Sequence, residues 1–68
     1  MNVFIVIGKD SYAGEAVNFV FLTLDKAVSK AAGAFRIEEF SLDTGNFVGM
    51  YTTEGKRAAL YNNGLMEI

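Results

Sequence analysis

Ala16-Val17-Asn18-Phe19-Val20-Phe21-Leu22-Thr23-Leu24-Asp25-Lys26-Ala27-Val28 is the stretch that decides the fold, because its pattern changes period halfway. The first seven residues are rich in β-branched and aromatic side chains and read as a strand. From Thr23 onward the spacing becomes helical. Thr23 can accept a hydrogen bond from a free first-turn amide, and Asp25 suits the positive end of the helix dipole. Leu24, Ala27, Val28 and Ala31 fall at i, i+3, i+4 and i+7 on one apolar stripe, while Lys26, Ser29 and Lys30 face away. Gly33 is the expected C-terminal stop. A competing reading carries the helix back to Glu15, since Val17, Phe21, Leu24 and Val28 also fit helical spacing. The strand propensity of Val-Asn-Phe-Val-Phe argues against it.

Upstream, residues 2–8 form a continuous apolar run that reads as a strand buried on both faces, followed by a loop over residues 9–14. Residues 16–22 should return antiparallel to it. Downstream, residues 35–42 read as a third strand whose phase changes, since Phe35 and Ile37 have one parity and Phe40 and Leu42 the other. A bulge near Glu38 and Glu39 would reconcile them. Residues 43–46 and 54–56 read as turns, with strands expected over 47–52 and 57–61. Asn62-Asn63-Gly64 ends in the Asn-Gly pair favoured by tight hairpins, leaving 65–68 as a last edge strand. The expectation is a single α+β domain over residues 1–68, of β-β-α-β-β-β order: a small antiparallel sheet with one short helix packed on one face.

Strands one and two carry apolar side chains on both parities, and a single short helix covers only one face. The other face needs a cover, either the C-terminal meander curling over it or a second protein molecule. Exposed apolar patches of several hundred Å² usually mark contact surfaces.

Composition narrows the chemistry. The 68 residues contain no histidine, cysteine, tryptophan or proline. No imidazole or thiol is available as base, nucleophile or soft metal ligand, so neither an enzyme nor a cofactor or metal site is expected. A chain this short buries only about 60% of the surface its unfolded form exposes. With disulfides excluded, packing or oligomerisation must supply its stability. The net charge of −2, from eight acidic and six basic side chains, argues against a dedicated nucleic-acid binder. The apolar run of residues 3–7 is too short for a membrane span and has no basic lead. A cytoplasmic protein is expected.

Several residue groups invite a functional reading. Gly8-Lys9-Asp10-Ser11 follows a strand but lacks the earlier glycine, the Lys-Ser/Thr pair and the helix of a phosphate loop, so it reads as a polar hairpin. Glu38 and Glu39 are adjacent carboxylates on a strand and therefore face opposite ways, unsuited to acid–base work across a substrate. With Asp43 they could instead form an acidic recognition patch, and Tyr12 in the first loop is the candidate aromatic anchor for a protein contact. Lys56 and Arg57 with Tyr51 and Tyr61 would be the residues of an alternative nucleotide or nucleic-acid contact. A hairpin tip carrying ordinary surface charge is the favoured reading of them.

Val3-Phe4-Ile5-Val6, then Val20-Phe21-Leu22-Thr23 leading into Leu24-Asp25-Lys26-Ala27 at the start of a helix, then Ile37-Glu38-Glu39-Phe40-Ser41-Leu42-Asp43 in a strand carry a resemblance. Over residues 1–43 the chain resembles short uncharacterised proteins of bacteriophages and prophages. These motifs are structural rather than chemical, and the resemblance implies a class of role: binding and blocking a host protein complex in defence (CRISPR or restriction) or transcription. The leading expectation is a non-enzymatic protein-binding module acting by steric occlusion. Self-association as a homodimer through the second sheet face is the alternative.

Overall fold

The computed structural model describes residues 1–10, 14–62 and 64–68. The elements run β1 (Asn2–Asp10), β2 (Gly14–Phe21), α1 (Leu24–Ser29), β3 (Arg36–Ser41), β4 (Phe47–Tyr51), β5 (Ala58–Tyr61) and β6 (Gly64–Glu67). The first four strands form one antiparallel sheet in the order β2-β1-β3-β4, and β5 pairs with β6 in a separate hairpin. The α+β class and the element order are those read from the pattern. The strand-to-helix switch also falls where the period changes, and residues 15–21 are strand, not helix.

β2 and β3 flank β1 and are both antiparallel to it, so the chain must cross β1 between them. That crossing is made by α1. Thr23 is its N-cap, extended at φ −135° and ψ 151°, and accepts from the Lys26 amide at 3.2 Å. The helix is shorter than its apolar stripe suggests. It ends at Ser29, because the Lys30 amide already turns back to the Ala27 and Val28 carbonyls. Ala31 remains buried beyond the helix end, and Gly33 takes the left-handed conformation at φ 80° in the turn that follows.

Six residues make too short a helix to be stable alone; it persists by packing. Ala27 and Ala31 are fully buried against Val6 and Ile37, ringed by Phe4, Phe21, Leu24, Val28, Ala34 and Tyr51. The two alanines let the backbone approach the sheet closely. Gly55, at φ 90°, brings the loop before β5 against the same helix, where a β-carbon would lie 3.0 Å from Val28 Cγ2.

Four expectations change. β1 extends through Asp10 and β2 begins at Gly14, with Lys9 opposite Glu15, so Lys9, Asp10 and Gly14 of the anticipated loop belong to the ladder. β3 pairs with β1 without interruption from Asn2–Ser41 to Ile7–Arg36. The phase change in β3 is therefore not a bulge: Ile37 and Phe40 serve opposite faces. The irregularity lies in β4, where Val48 is skipped between the Glu39–Gly49 and Phe40–Phe47 pairs. A second one lies in β2, where Asn18 is skipped between Val6–Phe19 and Ile7–Val17. Finally, the last hairpin does not join the main sheet. Tyr61 pairs with Gly64, so β6 starts at that glycine, and Asn62 takes the left-handed φ of 50° that asparagine tolerates.

Candidate functional site

Directly opposed residues in a ladder share a face, so the register assigns every side chain of the main sheet. Phe19, Phe21, Phe4, Val6, Ile37, Glu39, Gly49 and Tyr51 lie on the helix side. The other face carries Glu15, Val17 and Val20 from β2, then Val3, Ile5 and Ile7 from β1. Arg36, Glu38 and Phe40 follow from β3, and Phe47 and Met50 from β4. The C-terminal hairpin stays with the helix side: Arg57 bridges to Tyr51, and its guanidinium fills the space where a Gly49 β-carbon would stand. Among the described residues no element of the chain packs on the opposite face.

That open face shields its centre with its own long side chains. At one end Arg36 spans β1 to reach Glu15, donating from Nη1 at 2.5 Å and Nη2 at 2.9 Å, while its Nε donates to Glu38 at 2.6 Å. Ile7, opposite Arg36, is buried. Lys9 and Arg36 both lie against the Phe35 ring, at 4.2 and 5.2 Å from its centroid. At the other end Phe40 and Phe47 meet edge to face, 5.6 Å apart, with Val3 opposite Phe40 buried. Besides the charged Lys9 and Glu15, what remains exposed on this face includes the apolar Val17 (62%), Val20 (56%) and Phe47 (53%).

Comparison with family models, with curated proteins and with solved structures finds no match. The surface itself must carry the functional reading.

Glu38, Glu39 and Asp43 do not come together. Glu38 is held by Arg36 on the open face, and Asp43 pairs with the Met1 ammonium at 2.7 Å. Glu39 is buried on the helix side. It accepts from the Tyr51 hydroxyl at 2.6 Å and from the Asn2 amide at 2.7 Å, and Arg57 Nη1 donates to that hydroxyl at 3.3 Å. Tyr12 lies outside the described residues, as does Ser11 of the Gly8–Ser11 stretch. Tyr51 and Arg57 are in contact, but the guanidinium occupies the ring at 5.4 Å. Lys56 pairs with Glu67 at 3.7 Å, and Tyr61 is exposed at the far end of β5. The four do not line one groove. The residues missed by sequence reasoning are Arg36, Glu15 and Asn2, each tied to a partner at least twenty-one positions away. No local signal marks them.

Tyr51 chiefly, with Asn2 and the nearby charge of Arg57, holds the Glu39 carboxyl below its ordinary value of 4.5, against the opposing effect of burial. The same hydrogen bond keeps the proton on Tyr51, raising it above an ordinary tyrosine. This is the reverse of an activated phenol. A carboxyl whose folded-state pKa is depressed contributes stability fully above its unfolded value, and that contribution is lost as pH falls through the folded one. Between pH 7 and pH 3, the urea midpoint of the wild type should therefore fall more steeply than that of Glu39→Gln. Equal slopes would remove Glu39 from the acid response. Glu15, also held low by Arg36, leaves a residual slope in the variant.

Proposed function

We propose that this protein is a non-enzymatic binding module that occludes a surface of a partner protein with the open face of its sheet. One observation carries the reading: Val17, Val20 and Phe47 stand exposed on a face that no other element of the chain covers among the described residues. Such a face loses free energy by leaving water, at about 25 cal/mol per Å² of apolar surface. Glu15 and Glu38 are held by Arg36, and Glu39 by Tyr51 and Asn2, and among the described residues no three acidic side chains are grouped to hold a metal ion. Among the described residues no helix is long and apolar enough to cross a membrane. The resemblance to short phage proteins suggests a bacterial host complex as the partner, blocked sterically and without a cofactor.

The contact therefore moves from the acidic residues to the apolar ones. Charge reversal at Glu38 or Glu39 would strike an ion pair or a buried hydrogen-bond cluster and perturb the fold. Phe47→Lys changes an exposed ring. Tagged wild type should capture one stoichiometric protein from bacterial lysate that Phe47→Lys fails to capture, while both give the same circular dichroism. Capture by both alike, or by neither, overturns the reading.

A further inference from the structure

We propose that the outer edge of β2 pairs antiparallel with β2 of a second copy, joining two four-stranded sheets into one continuous sheet. β2 ends the strand order, with β1 on its inner side. Among the described residues no strand lies on its outer side, and every residue from 14 to 20 is exposed. An edge of this length presents a row of free amides and carbonyls, which proteins normally protect with lysine, proline or a covering element. β2 has none of these. Its one charged residue, Glu15, is neutralised by Arg36 of the same molecule, so two such edges can approach without like-charge repulsion. The bulge at Asn18 falls on the ladder to β1, and its side chain folds over Gly8.

A two-fold axis brings the same patch of both copies together. Antiparallel pairing across it sets each face of β2 beside the same face of its mate. With the axis at Val17, the middle of the exposed run 14–20, Val17 would meet its counterpart on the open face, while Val20 (56% exposed) and Phe19 (46%) lie farther along the seam. The opposite edge fits this role less well, since β4 is bridged at Tyr51 by Arg57.

The area points the same way. A folded monomer of 7.4 kDa exposes roughly 4,200 Å² by the usual scaling, whereas this chain exposes 4,530 Å². Among the described residues, four hydrophobic side chains form its fully buried cluster. A second copy on β2 would supply the missing cover. This dimer pairs the backbone at an edge and shares Val17 and Val20 with the partner reading, but not Phe47, so Phe47→Lys tests that reading without touching this one.

Sedimentation equilibrium across a dilution series, combined with hydrogen exchange of the β2 amides, tests it. The wild type should pass from one to two chain masses as concentration rises, with β2 amides slowing in step. Val17→Lys, which sets ammonium groups beside each other across the axis, should raise the dissociation constant about tenfold or more. A chain monomeric throughout, or a dimer with unprotected β2 amides, overturns the proposal. So does a folded Val17→Lys variant that associates as the wild type does. Should that variant not fold, the wild-type exchange pattern alone decides.

Discussion

Ile37→Ala should be the most damaging single substitution to a side chain in this molecule. Ile37 is fully buried and is one of the two largest side chains that are, the other being Val6, its neighbour across the ladder. It packs between Val6, Ala27 and Ala31, and the two alanines have no rotamers with which to refill the space. Large-to-small changes cost more where the site cannot collapse, and about 3–4 kcal/mol is expected here. A domain of 68 residues has roughly 3–10 kcal/mol in total. Thermal melting by circular dichroism should fall by roughly 15–30 °C, given the low unfolding entropy of so small a domain. Val20→Ala, on an exposed position of the same sheet, should shift it little. A loss at Ile37 no larger than at Val20 would mean that the helix does not pack where the sheet places it.

The same contrast shows which parts of the molecule could be read from its residues. Thr23, Asp25 and the Leu24-Ala27-Val28-Ala31 stripe state the helix start and its buried side in local terms, and the structure follows them. Strand β1 is equally local: with a neighbour on either side, it buries Val3, Val6 and Ile7 from both faces. β3 was harder. Its parity change suggested a bulge only on the assumption that one face is buried. In a central strand both faces are lined, so Ile37 meets the helix while Phe40 meets Phe47 on the other side. The opposed directions of Glu38 and Glu39 were legible from strand geometry, but not their partners. Asn2 lies 37 positions from Glu39, and Glu15 lies 21 from Arg36. Such pairings arise from strand order, and the order β2-β1-β3-β4 is set by the helical crossover rather than by any local pattern. The strand that looked as apolar as β1, namely β2, proves to be an edge for the same reason.

Arg36→Ala carries the second large effect, and it links stability to association. Arg36 is only 5% exposed, yet it is charged and anchors carboxylates from two strands. Removing one partner of a buried ion pair leaves the other charged without compensation. Glu38, itself 13% exposed at its side chain, is that partner. Because Glu38 retains some access to water, the expected cost is about 2–4 kcal/mol rather than the full value for a deeply buried pair. Urea denaturation should show Arg36→Ala/Glu38→Ala losing less than the sum of the two single variants, by about 1–3 kcal/mol. Strict additivity would mean the two side chains act independently. A further consequence reaches the edge strand. Without Arg36, Glu15 becomes an unpaired carboxylate on β2, and two copies would each bring one to the shared edge. Under conditions where Arg36→Ala remains folded, its self-association should be weaker than that of wild type and should recover as salt screens the repulsion. Glu15→Gln removes the charge altogether and should associate without that salt dependence. The buried arginine thus has two separable effects: it holds β3 to β2 across β1, and it leaves the outer strand electrically neutral where a second molecule would pair.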